Sequence, residues 1–92
     1  MNQQTRNILQ RSLLLINDYR YNKISLQNLV SSLEGSLNAL EEQLPEEFYK
    51  LWYTYWGNLE IALALGINAD TKQKIIGDLE ELENTINKQL LE

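Results

Sequence analysis

The chain has 92 residues, which is enough for one domain of ordinary size and too few for two domains that each enclose a core. It contains no cysteine and no histidine, which excludes a disulfide framework, an ordinary zinc site and imidazole acid–base chemistry. Hydrophobic residues make up 43% of the chain and charged residues 23%, values that are typical of a folded globular protein.

The net charge of −5 is unevenly distributed along the chain. Residues 1–44 carry four basic and four acidic side chains, whereas residues 45–92 carry four basic and nine acidic side chains. Nucleic acid would be repelled by the acidic half, and a basic protein surface would be attracted to it. The same charge is also typical of a surface that serves solubility alone.

The first helix is predicted over about residues 5–20, where Leu9, Leu13 and Ile16 recur at helical spacing. A second helix is predicted over 26–44, after Ser25, whose hydroxyl can accept a hydrogen bond from an amide of the first turn. Its apolar residues recur at intervals of four and three, a spacing that favours antiparallel bundle packing or a coiled-coil seam. They are Leu26, Val30, Leu33, Leu37, Leu40 and Leu44.

Pro45 predicts a helix boundary, so the third helix is expected over 46–65, ending before Gly66. Asp70 is expected to cap the fourth helix, over about 71–90, with Gln73 completing a capping-box-like arrangement. Three short connections between four helices favour antiparallel neighbours. The sequence therefore predicts one all-α domain, a compact antiparallel bundle of about four helices, with up-down-up-down order as the simplest topology.

Six of the eight aromatic residues lie in the nine-residue stretch 48–56. On a helical wheel, one stripe is predicted to be core; it contains Phe48, Trp52, Tyr55, Leu59 and Ala62. A second stripe, formed by Tyr49, Tyr53, Trp56 and Glu60, lies to one side of it. This stripe is either buried because the third helix packs on two sides, or exposed as a partner-binding patch, since Tyr and Trp are enriched at interface hot spots.

Two acidic groups are expected to be solvated, one around the turn between helices two and three and one on helix four. They are Glu41, Glu42, Glu46 and Glu47, and Asp78, Glu80, Glu81 and Glu83. Paired carboxylates hydrolyse glycosides only in a cleft that shifts their pKa values, and a chain this short offers little cleft. We therefore predict no catalytic residue, no metal ligand and no cofactor, and expect that the protein is not an enzyme.

The first residues show no basic patch followed by an apolar segment, and no long apolar run occurs anywhere. This pattern predicts neither a signal peptide nor a membrane span, so a cytoplasmic location and no membrane partner are expected.

Three segments resemble a known class of proteins: residues 24–35 (ISLQNLVSSLEG), 44–48 (LPEEF) and 56–60 (WGNLE). Over about residues 8–90 the chain is similar to small helical bacterial immunity proteins of toxin–immunity loci, including those of contact-dependent growth inhibition. The resemblance implies a cytoplasmic antidote that binds one cognate toxin, often a nuclease. Such an antidote covers the toxin's active site or its substrate surface.

For a basic toxin domain, the candidate contacts are Tyr49, Tyr53, Trp56 and Glu60 at the centre, with Asp78 and Glu81 as charges at the rim. The free protein is then expected to be a monomer or a weak homodimer. The alternative is a structural or regulatory helical module that self-associates. Its contacts would be the Leu26-to-Leu44 seam or the aromatics of the third helix.

Overall fold

A computed structural model describes residues 1–92 as four helices with no strand. They are α1 (Gln3–Arg20), α2 (Leu26–Asn38), α3 (Glu46–Leu65) and α4 (Ala69–Leu91). The all-α prediction is confirmed. None of the four helices combines the length and the apolar composition that a membrane crossing requires.

The helices form a closed ring in which α1 contacts α2 and α4, and α3 also contacts α2 and α4. The start of α1 meets the connection that follows α2, where the Asn2 amide donates a hydrogen bond of 2.7 Å to the Glu42 carboxylate. The start of α3 and the end of α4 line one groove, to which both Phe48 and Gln89 contribute. Successive helices therefore run antiparallel, in a bundle with extents of 39 × 25 × 20 Å.

Apolar side chains from all four helices fill the space between them. Ile16 in α1, Leu33 in α2, Leu59 in α3 and Leu82 in α4 are completely inaccessible to solvent. Each such side chain contributes roughly 1.5–3 kcal/mol through the apolar area removed from water. The predicted stripe of α2 is thus confirmed as core, with Leu40 half-buried just beyond the end of the helix.

The second helix ends at Asn38 and not at about residue 44, so this boundary was predicted wrongly. Two acidic residues follow the helix end, where the dipole disfavours negative charge, and Glu42 instead binds the start of α1. Pro45 also pushes Leu44 out of the helical region. Leu44 is nevertheless buried, because the connection brings its side chain back to the core.

The fourth helix begins two residues earlier than predicted, with Asn68 as its cap. The Asn68 side chain accepts a hydrogen bond of 3.0 Å from the Thr71 amide, and the Thr71 hydroxyl accepts one of 2.7 Å from the Asn68 amide. This reciprocal pair is the capping box, so Asp70 and Gln73 do not have the predicted roles. Ser25 does cap α2, and Gly66 ends α3 with a positive φ of 88°.

Candidate partner-binding face

The predicted contacts are centred on α3, which packs against α2 on one side and α4 on the other. Its first turn carries Glu46 and Glu47, where the positive end of the helix dipole stabilises negative charge. Its predicted core stripe is confirmed, because Phe48, Trp52, Leu59 and Ala62 are buried and Tyr55 is half-buried. The outer face of α3 is the side that neither neighbouring helix covers.

Two residues of the second aromatic stripe pack towards α2 and the connection that follows it. The Trp56 indole nitrogen donates a hydrogen bond of 3.0 Å to the Val30 carbonyl, and its ring stacks on Trp52 with centroids 5.5 Å apart. The Tyr49 hydroxyl accepts a hydrogen bond of 3.4 Å from the Leu44 amide. Both side chains are half-buried, so they serve the packing of the bundle and leave little area for a partner.

The other two residues of that stripe face solvent. Tyr53 is 54% exposed, and its ring makes edge-to-face contacts with Trp52 at 5.4 Å and with Trp56 at 6.3 Å. Glu60 is exposed two turns further along the same side of α3. The Tyr53 ring packs edge-on against both indoles and still offers a partner a large exposed aromatic surface.

The expectation that Asp78 is a solvated rim charge is wrong. Asp78 is only 8% exposed and accepts a hydrogen bond of 3.1 Å from the Asn58 side chain, inside the contact between α3 and α4. Its position could have been recognised from the sequence, because Ile75, Asp78, Leu79 and Leu82 follow the i, i+3, i+4, i+7 pattern of a buried stripe. Asp78 is therefore a structural carboxylate.

The second predicted rim charge, Glu81, is exposed on α4. It lies one turn before Thr85, which lines a groove together with Glu47 and Leu51 of α3. Glu81 thus lies one turn from a groove between α3 and α4, and Tyr53 lies on the outer face of α3 itself. The structure does not bring Glu81 into hydrogen-bond contact with either Tyr53 or Glu60.

Sequence reasoning missed an exposed apolar row on the same face. Ile61 is 57% exposed and Leu65 is 74% exposed. They follow Tyr53 by eight and twelve residues, and Gly57 follows Tyr53 by four. We call Tyr53, Gly57, Ile61 and Leu65 the outer ridge. Its four-residue spacing outside the buried stripe was visible in the sequence and could have revealed it.

Charged side chains surround the outer ridge. Glu46, Glu47 and Glu60 are exposed on α3, whereas the cations are Lys50 of the same helix and Lys88 of α4, which lines a groove with Glu47. The face therefore combines an apolar ridge with an excess of carboxylates, which is the chemistry that a basic protein surface with apolar contacts would complement.

Comparison of the chain with models of protein families, with characterised proteins and with solved structures gives no match. The features of this face are therefore the basis on which a function can be argued.

Proposed function

We propose that this protein binds a cognate toxin domain with a basic surface and neutralises it by covering its active site or substrate surface. The observation that carries the proposal is the exposed Tyr53, packed against two indole rings, on the same side of α3 as the exposed Glu60 two turns away. An antidote of this kind acts in the cytoplasm, where it meets the toxin before the toxin meets its substrate.

The carboxylates supply attraction and orientation. A toxin that cleaves nucleic acid holds phosphates with arginine and lysine side chains. Exposed carboxylates such as Glu60 and Glu47 can bind those side chains through charge-assisted hydrogen bonds. Their field also raises the rate of encounter between oppositely charged surfaces. The rate of association is therefore expected to fall as the salt concentration rises.

The outer ridge supplies the contact that slows dissociation. Tyr53, Ile61 and Leu65 are each more than half exposed, so a partner that covers them removes apolar area from water. With 20 residues, α3 is about 30 Å long, which is enough to run across an interface of standard size. Glu81, exposed on α4, is the proposed rim charge of that interface.

A double substitution on the proposed face tests this function. Tyr53→Ala with Glu60→Lys is expected to weaken binding to the toxin domain encoded at the same locus by about 100-fold or more, as loss of a hot spot does. It should also abolish protection of cells that express the toxin. Isothermal titration calorimetry gives the affinity and the 1:1 stoichiometry.

The matched control makes the same two kinds of substitution elsewhere on the surface. Tyr21→Ala with Glu34→Lys changes an exposed tyrosine and an exposed glutamate outside α3. This control should bind and protect as the unchanged protein does. Equal binding by both double variants would show that the partner uses another surface, and no binding by the unchanged protein would overturn the proposal.

A further inference from the structure

Two adjoining grooves lie at the end of the bundle that carries the α1–α2 and α3–α4 connections. The first groove runs between the end of α1 and the start of α4 and has a volume of about 360 Å³. The second groove runs from the end of α1 to the start of α2 and to the α3–α4 connection. Because Tyr19, Asn22 and Lys72 line both grooves, the two form one continuous surface, which we call the end groove.

Much of the lining of the end groove is apolar. Ile75 and Leu79 of α4 line it and are buried, whereas Ile76 and Ile67 line it and are about half exposed. A concave surface of this size with a few polar groups at fixed positions is typical of a binding site.

The end groove is lined by three cations and by no carboxylate. The cations are Arg20, Lys23 and Lys72. The Arg20 guanidinium is paired with the Glu83 carboxylate at 2.7 Å. Lys23 and Lys72 are exposed and form no ion pair, so their charges are available to a ligand.

The other two lysines that line grooves have a carboxylate beside them, because Lys50 and Lys88 each share a groove with Glu47. The acids nearest in sequence to the two lysines of the end groove are Asp18 and Asp70, and neither lines it. In a chain with 13 acidic and 8 basic side chains, the end groove thus carries positive charge that none of its own residues offsets. Such a surface attracts negative charge.

From this combination we propose that the end groove binds an acidic segment of another protein, in which carboxylates alternate with large apolar side chains. An apolar side chain of the segment packs on Ile75, Ile76 and Leu79. Its carboxylates bind the ammonium groups of Lys23 and Lys72. The two shorter extents of the bundle are 25 and 20 Å, a distance that an extended segment of about eight residues spans.

The end groove fits a protein segment better than it fits an anionic membrane. Its cations and apolar residues line a concave surface, which side chains of a single segment can enter. A bilayer with anionic lipids would also repel the net charge of −5, whereas a short segment meets mainly the local charge of the groove. No residue of the outer ridge lines the end groove, so this proposal does not depend on the toxin.

Fluorescence anisotropy of a labelled peptide tests the proposal on the full chain. The probe is a peptide of about eight residues in which leucine and glutamate alternate. We expect a dissociation constant of about 10 μM to 1 mM that increases with salt. The same peptide with glutamine in place of glutamate should bind at least about tenfold more weakly. No binding of the glutamate peptide, or equal binding of the two peptides, would overturn the proposal.

A pair of charge reversals locates the binding. Lys23→Glu with Lys72→Glu should weaken binding of the glutamate peptide at least about tenfold. Lys50→Glu with Lys88→Glu is the matched control and should change it less than about twofold. Both variants acquire the same net charge, so general repulsion of the peptide affects them alike. Equal losses in the two variants would overturn the proposal.

The apolar lining and the membrane are tested separately. Ile76→Ser should weaken peptide binding, whereas Leu14→Ser, at another exposed apolar position, should not, and circular dichroism checks that both variants fold. Vesicles of phosphatidylcholine and phosphatidylglycerol are expected to leave the chain in the supernatant on centrifugation. Equal peptide binding by the two serine variants, or binding to vesicles without binding to the peptide, would overturn the proposal.

Discussion

The two sides of α3 have similar apolar residues and opposite environments. Trp52 and Leu59 on the inner side are at most 2% exposed, whereas Tyr53 and Ile61 on the outer side are more than half exposed. Trp56, at the boundary, is held by α2. Successive residues of a helix are rotated by about 100° about the helix axis. The side of the helix on which an aromatic residue lies therefore says more about its role than its residue type does.

The largest effect that distinguishes the two sides is expected from adjacent aromatic residues. Trp52→Ala should lower the free energy of unfolding by about 3–5 kcal/mol, because it removes a buried ring and leaves a cavity. Tyr53→Ala should lower it by less than about 1 kcal/mol, because the ring is already half in water. Urea unfolding followed by circular dichroism measures both, and equal losses would mean that the two sides do not differ.

At the boundary towards α2, Trp56→Phe is expected to cost about 1–2 kcal/mol. The substitution removes the hydrogen bond to the Val30 carbonyl and part of the ring stacked on Trp52. Tyr53→Phe, which removes one exposed hydroxyl, is the control and should change the stability by less than about 0.5 kcal/mol. If the two variants were equally stable, Trp56 would belong to the open face after all.

At the boundary towards α4, Asp78→Ala should cost about 1 kcal/mol, because Asn58 loses its hydrogen-bond partner inside the contact. Glu81→Ala, one turn further along α4 and exposed, should stay within about 0.5 kcal/mol of the unchanged protein. A double-mutant cycle with Asn58→Ala measures the pair directly. Additive losses in that cycle would show that the hydrogen bond contributes nothing.

The fold was predictable because it depends on repeated local features. The spacing of apolar residues in α2 and α4, the Ser25 cap and the Gly66 terminus each act within a few residues of chain. The end of α2 was not predictable in this way. Leu44 continues the apolar spacing, yet it reaches the core from the connection, and Glu42 is held by the distant Asn2 amide.

The sequence predicted which residues could form the candidate site, but not which of them are exposed to solvent. The sequence identified Tyr53 and Glu60, but it could not show that Trp56 meets the Val30 carbonyl, because that contact joins residues 26 positions apart. Asp78 was wrongly predicted to be solvated because it is charged, although its position lies on the buried stripe of α4. Ile61 and Leu65 were overlooked because apolar residues in a helix are ordinarily assigned to the core.

The smallest expected effect concerns Gly57, which lies inside α3 between Tyr53 and Ile61 of the outer ridge. Gly57→Ala should raise the stability of the protein by about 0.5–1 kcal/mol, because alanine favours the helix and its Cβ meets no atom within 4 Å. Gly77→Ala should do the same. Thermal unfolding of both variants measures the effect. A Gly57→Ala variant less stable than the unchanged protein would mean that the outer side of α3 is not open.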